Sequence, residues 1–131
     1  MKRMILVAGF ALLATAGTAL AEGDVKKGEK VFKKCKACHA VGEKAKNKVG
    51  PELNGIVGRE WGNVEGFKYS KALMEMAEGK VWDEATLAEF LTKPKKMIKK
   101  TKMSFAGLKK DKDRDNIIAY LSQFNADGTK K

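Results

Sequence analysis

Apolar residues recur at three- and four-residue steps in two stretches, one near each end of the chain, and this spacing predicts amphipathic helices. The later stretch predicts a helix from about residue 112 to 124, with its apolar stripe formed by Ile117, Tyr120, Leu121 and Phe124. The earlier stretch predicts a helix from Asp24, a favourable N-cap, to about residue 34 or 35. Its apolar face is formed by Val25, Gly28, Phe32 and Cys35. We expect the two faces to pack together.

Two shorter helices are expected between them. One covers residues 70–78 and is stopped by Gly79, and the other covers residues 83–92 with Asp83 as its N-cap. Pro94 ends the second of these, because the residue before a proline is pushed away from helical geometry. A further turn follows the proline.

The rest of the chain is predicted to be loop. Residues 41–66 are rich in glycine, asparagine and lysine, and no run of alternating polar and apolar residues predicts a strand. No internal repeat or linker divides the chain after residue 21. The sequence therefore predicts an all-α fold, with a single domain covering residues 22–131.

The first 21 residues have the layout of a secretory signal peptide. Two basic residues precede an apolar run over residues 4–13, and Ala19 and Ala21 are the small residues that a signal peptidase recognises. We expect cleavage after Ala21 and export to the periplasm. The alternative is a retained membrane anchor, since the apolar run approaches the length of a membrane span.

Cys35-Lys36-Ala37-Cys38-His39 contains both cysteines and the only histidine of the chain. Two thiols at this spacing can each bond to one porphyrin vinyl group, and the adjacent imidazole can coordinate the iron, so the C-x-x-C-H motif predicts covalently attached haem. Three alternatives remain. A redox C-x-x-C needs no histidine, structural zinc wants a fourth protein ligand, and an exported protein can hold a plain disulfide.

A second axial ligand has to come from a residue other than histidine. Methionine is the soft neutral donor that pairs with histidine in cytochromes. Met74 and Met76 lie on a predicted helix, where packing explains them. Met103 lies in a polar loop that gives little reason for a lone apolar residue, so it is favoured over Met97, although the residues alone leave both open.

The chain resembles the class I c-type cytochromes, the family of cytochrome c2 and mitochondrial cytochrome c, over almost all of residues 22–125. Several blocks carry this resemblance in the same order. They are Gly23-Asp24-Val25, the C-x-x-C-H motif, Gly50-Pro51-Glu52-Leu53-Asn54-Gly55, Gly58-Arg59, Gly66-Phe67-Lys68-Tyr69-Ser70, Trp82, Pro94-Lys95-Lys96, Thr101-Lys102-Met103-Ser104-Phe105-Ala106-Gly107 and Ile118-Ala119-Tyr120-Leu121.

This resemblance implies the cytochrome c fold, with short helices and long loops around one haem c and the two terminal helices packed together. It implies that Cys35 and Cys38 bind the haem, and that His39 and Met103 are the axial iron ligands. Pro51 matches the proline whose carbonyl orients the axial histidine. Four further residues match positions around the haem propionates: Arg59, Tyr69, Trp82 and Thr101.

The function expected from these features is that of a soluble periplasmic one-electron carrier, not an enzyme. The family implies a cytochrome bc-type complex as donor, and a terminal oxidase or a photosynthetic reaction centre as acceptor. The alternatives are a haem subunit docked permanently on a larger complex, and a haem peroxidase or gas-binding protein in which the methionine is displaceable.

The chain is basic, with 27 lysines and arginines against 16 acidic residues. Lysines cluster around both ligand segments: Lys33, Lys34, Lys36, Lys95, Lys96, Lys99, Lys100 and Lys102. We expect them to steer an acidic redox partner to a monomeric carrier. An undirected solvated surface is the plainer alternative. Nucleic-acid binding is disfavoured, because no recognition motif accompanies the charge.

Overall fold

The structure is a computed structural model that describes residues 23–131. Five helices form there: α1 Val25–Phe32, α2 Lys71–Met76, α3 Glu84–Thr92, α4 Pro94–Met97 and α5 Asp111–Ser122. Strand pairing in the same part of the chain is limited to two isolated bridges, Glu60 with Val81 and Phe124 with Lys130. The predicted all-α fold is confirmed. The predicted signal peptide, residues 1–21, lies outside the described residues.

The crossing of α1 and α5 forms the frame of the molecule. Gly28 lies at the contact, where an added Cβ would overlap the Asn116 carbonyl oxygen and lie 2.6 Å from the Tyr120 Cβ. The Phe32 and Tyr120 rings pack with their centroids 5.4 Å apart. The Asp24 N–H donates to the Asn116 Oδ1 at 2.8 Å, which joins the start of α1 to α5. The expected packing of the two terminal helices is therefore present.

Helices α1 and α3 start at the predicted caps, Asp24 and Asp83, and Ser70 caps α2 in the same way. The Asp24, Ser70 and Asp83 side chains each accept a hydrogen bond from the N–H three residues later. Pro94 ends α3 as expected and is the first residue of α4, where its missing N–H costs nothing.

Three helices end earlier than predicted, and one of them is α5, which stops at Ser122 instead of about residue 124. Helix α1 stops at Phe32, because the following N–H groups donate to carbonyls only three residues back and tighten the chain into turns. Helix α2 stops at Met76, two residues short of the predicted end, and Gly79 follows with a φ of 72°. All three differences concern helix ends, where capping hydrogen bonds decide the boundary.

A long loop between α4 and α5 closes one side of the core. Ile98 at its start is fully buried, and the Leu108 N–H at its far end donates to the Leu91 carbonyl at 2.7 Å. Met103 lies between these two fixed points. No helix in residues 23–131 is long and apolar enough to cross a membrane.

Replacing Gly28 with alanine tests the helix crossing. Helix propensity alone would stabilise the protein by about 1 kcal/mol. We expect the opposite sign, a loss of roughly 1–3 kcal/mol in the free energy of unfolding, because the added methyl group has to push α1 from α5. Guanidinium denaturation of the purified protein measures the change. The control is Lys30→Ala on the exposed side of α1, which should stay within about 0.5 kcal/mol. A stabilised Gly28→Ala protein would contradict the close approach.

Candidate haem site

The Cys-x-x-Cys-His segment follows α1 directly and forms one turn of chain. The N–H groups of Cys38 and His39 both donate to the Cys35 carbonyl, at 3.1 and 2.9 Å. Both cysteines are half-buried free thiols. The turn therefore carries two thiols, with His39 directly after the second, at the end of a helix that packs against α5.

Two of the three alternatives to haem, the redox motif and structural zinc, find little support in this geometry. Burial raises the pKa of the Cys35 thiol to about 11, and the charge of Lys34 opposes this only in part. A redox C-x-x-C requires a lowered thiol pKa, because the thiolate is the nucleophile. Between residues 23 and 131, no three His, Cys, Asp or Glu side chains lie close enough together to hold a metal ion. The zinc alternative therefore lacks its ligand set.

His39 is 8% exposed, and its Nδ1 lies 2.7 Å from the Pro51 carbonyl oxygen. A carbonyl only accepts hydrogen bonds, so Nδ1 carries the hydrogen and the Nε2 lone pair is free to bind a metal. Burial lowers the pKa of His39, while the bond to Pro51 acts in the opposite direction. The ring is therefore neutral at pH 7, as coordination requires.

Gly50 packs against the flat side of the same ring. A Cβ there would overlap His39 Cε1 and lie 2.8 and 2.9 Å from the two ring nitrogens. Only a glycine fits this contact without displacing the imidazole. The Gly50 N–H also donates to the Cys38 carbonyl at 2.9 Å, so the loop that carries Pro51 is tied to the cysteine turn.

Of the two methionines that the sequence left open, Met103 lies in the loop after α4 and Met97 at the end of α4. Both are half-buried against the core. The Met103 N–H donates to the Thr101 hydroxyl at 3.2 Å, so Thr101 fixes the backbone at the methionine. Met97 instead lines two shallow surface grooves beside α3, one with Trp61 and one with Lys93. Both methionines therefore pack against the core, but only Met103 lies in a polar loop whose backbone a side-chain hydroxyl holds.

Backbone hydrogen bonds bring the segments of Arg59 and Trp82 together. The Trp82 N–H donates to the Arg59 carbonyl at 2.8 Å. The Arg59 guanidinium donates to the Glu52 carbonyl at 3.3 Å, the Glu52 carboxylate at 3.4 Å and the Asn54 carbonyl. Its observed partners thus lie in the loop that follows Pro51, a role that the sequence did not predict.

Tyr69 keeps a hydrogen available for a further acceptor. Its hydroxyl oxygen accepts the Val64 N–H at 2.9 Å, and this leaves the hydroxyl hydrogen free to donate. Burial raises the pKa of Tyr69, opposed by that hydrogen bond and by the charge of Arg59. The phenol is therefore a neutral donor at physiological pH.

Trp61 is a residue that the sequence reasoning missed. It is 4% exposed and stacks on Trp82, with ring centroids 4.2 Å apart and planes at 18°. Its buried Nε1–H has no hydrogen-bond partner among the described residues. Such a donor is costly unless an acceptor reaches it. The sequence does contain a sign of this buried role, because a large aromatic residue between Glu60 and Gly62 is unusual in an otherwise polar loop.

These donors fit a haem group. The chain offers two adjacent thiols, an imidazole with a free Nε2, a soft thioether, and phenol and indole hydrogens that suit the carboxylates of a haem. None of these side chains calls for a metal or cofactor other than haem.

The sequence is similar to a protein-family model and to several named cytochromes. A family model described as cytochrome c matches residues 25–125. Cytochrome c-554 of Methylosinus trichosporium is 53% identical over 128 residues, covering 98% of this chain and 96% of that protein. Cytochrome c2 of Rhodoblastus acidophilus is 56% identical over 108 residues, covering 82% and 99% respectively.

A solved structure gives the same result. Cytochrome c2 from Rhodospirillum centenum matches with a TM-score of 0.74 at 39% sequence identity, covering 79% of this chain and 99% of that one. Since the family model and these relatives each extend over most of the sequence, the chain belongs to the cytochrome c family.

Proposed function

We propose that this cytochrome carries one electron at a time through a haem that Cys35 and Cys38 bind covalently and that His39 and Met103 ligate. Electron transport and one covalently bound haem c are the properties of this family. The observation that supports the residue assignment best is the bond from His39 Nδ1 to Pro51, which leaves Nε2 free on the residue that follows Cys38.

The chain's residues then have separate tasks. Bound haem supplies an iron that holds or releases one electron. The two cysteines fix its position, and His39 is held neutral and oriented by Pro51. Met103 is a neutral sulfur donor, which raises the reduction potential. If His39 and Met103 both hold the iron, no position would remain for a substrate, and this favours a carrier over a peroxidase or gas-binding protein.

A basic surface would guide the partner. All eight lysines that flank the two ligand segments are exposed, and within residues 23–131 none of them forms an ion pair with a carboxylate. Their charge is therefore available to an acidic docking face. We propose a monomer that moves between a cytochrome bc-type donor and a terminal oxidase or photosynthetic reaction centre. Export to the periplasm rests on the sequence of residues 1–21.

Covalent attachment is tested by denaturing the protein in acidified organic solvent. We expect the haem to stay with the polypeptide, and mass spectrometry to find it on the proteolytic peptide that contains Cys35 and Cys38. A Lys36→Ala protein is the matched control within the motif and should retain its haem equally. Release of free haem from the unmodified protein would refute attachment through the two thioethers.

The axial methionine is tested by carbon monoxide binding to the reduced protein near pH 7. We expect no rapid binding to the unmodified protein, because both axial positions are filled. Met103→Leu should bind carbon monoxide readily, whereas Met97→Leu should not, and both changes preserve side-chain volume. Rapid binding to the unmodified protein would favour the enzyme or gas-binding alternative. Binding only to Met97→Leu would reverse the ligand assignment.

Docking by charge is tested by the salt dependence of electron transfer from a purified cytochrome bc-type complex. We expect the second-order rate to fall steeply as the Debye length shrinks from about 10 Å at 0.1 M salt to about 3 Å at 1 M. Lys36→Gln and Lys102→Gln should lower the low-salt rate and flatten this dependence. Lys71→Gln, at an exposed lysine that already pairs with Glu75, should change little. A flat response of the unmodified protein would refute steering.

A further inference from the structure

The peptide group between Pro51 and Glu52 is hydrogen-bonded at both of its ends. Its carbonyl, from Pro51, lies 2.7 Å from His39 Nδ1. Its N–H, from Glu52, donates to the Asn47 Oδ1 at 2.9 Å. One flat and polarisable unit therefore connects the side chain of Asn47 to the imidazole ring.

Asn47 is itself held by a second contact. Its Nδ2 donates to the Glu65 carbonyl at 3.1 Å, so the side chain bridges two loops that are far apart in sequence. The two partners also fix which way the amide faces, because the Glu52 N–H needs an acceptor and the Glu65 carbonyl needs a donor. The half-buried Asn47 is thus anchored in an orientation that serves the peptide group.

Hydrogen bonds in a chain polarise one another, and the effect is larger where water is excluded. Donation from Glu52 N–H to Asn47 draws electron density through the peptide group onto the Pro51 oxygen. That oxygen then accepts more strongly from His39 Nδ1, and a strong acceptor at this position makes an imidazole a more basic metal ligand. A more basic ligand favours the oxidised iron.

We propose that Asn47 is a positioning residue for His39, acting through the Pro51–Glu52 peptide group to hold the ring and to lower the reduction potential. This inference rests on the proposed function, in which His39 is the axial ligand. Among the described residues, Asn47 has no hydrogen bond to the ring or to the two cysteines, and its hydrogen-bonded path to His39 runs through this one peptide group.

Neighbouring contacts brace the same loop without entering this chain of bonds. The Glu52 carboxylate accepts the Asn54 N–H at 2.7 Å and faces Arg59. The Asn54 side chain exchanges two hydrogen bonds of 2.8 Å with the Gly42 backbone. Asn54 therefore provides a comparison in which the loop loses hydrogen bonds while the peptide group keeps its partners.

The test replaces Asn47 with leucine, which is close in size but forms no hydrogen bonds. In the reduced holoprotein we expect the nuclear magnetic resonance signal of the His39 Nδ1 proton to move upfield and its exchange with solvent to quicken about fivefold. The reduction potential should rise. Asn63→Leu, the same change at an exposed asparagine, should alter none of the three measurements. Asn54→Ala should lower stability with a smaller effect on the proton signal.

Two outcomes would overturn the inference. One is an unchanged proton signal and potential in Asn47→Leu, and the other is an equal change in Asn54→Ala, which would indicate general loosening of the loop. The proposed function fails separately, if the unmodified protein lacks the optical spectrum of histidine and methionine ligation. If the unmodified protein has that spectrum and Asn47→Leu changes neither the proton signal nor the reduction potential, only the role of Asn47 is refuted and the proposed function stands.

Discussion

The hydrogen bond from His39 Nδ1 to the Pro51 carbonyl determines which ring nitrogen carries a hydrogen and which way the ring faces. The surrounding chain is arranged to preserve it. Gly50 lies flat against the ring and ties the loop to the cysteine turn, while Arg59 holds the residues that follow Pro51. An imidazole that could rotate or protonate would be a poor permanent ligand, so this one contact governs the use of the only histidine.

The packing of α1 against α5 holds the candidate haem site in place. Helix α1 ends in the turn that carries both cysteines, and α5 fixes α1 through the Gly28 contact and through Asn116. No disulfide supports the core of residues 23–131, because the chain has only two cysteines, both of which belong to the motif and are free thiols. A bound macrocycle would therefore complete the core as well as carry the electron.

Local features were largely predictable from the sequence. Asp24, Ser70 and Asp83 cap helices because capping involves residues only three positions apart. The C-x-x-C-H motif is equally local. Contacts between loops were not predicted, because loops have no sequence periodicity that shows which of them meet. Examples are the hydrogen bonds of Asn47, the loop contacts of Arg59 and the stacking of Trp61 on Trp82. The ends of α1, α2 and α5 were each predicted about two residues too late, because the last turn of a helix frays or tightens in ways that periodicity does not reveal.

Both tryptophans of the protein lie in one stacked pair, with Lys80 positioned 5.0 Å above the Trp61 ring. Bound haem would itself absorb in the ultraviolet and would quench the emission of both indoles. In the holoprotein, fluorescence would therefore rise when this one pair moves away from the haem that the cysteine turn would hold, whereas α1 and α5 contain no tryptophan. Unfolding followed by emission and unfolding followed by helical circular dichroism thus view two different regions of the molecule.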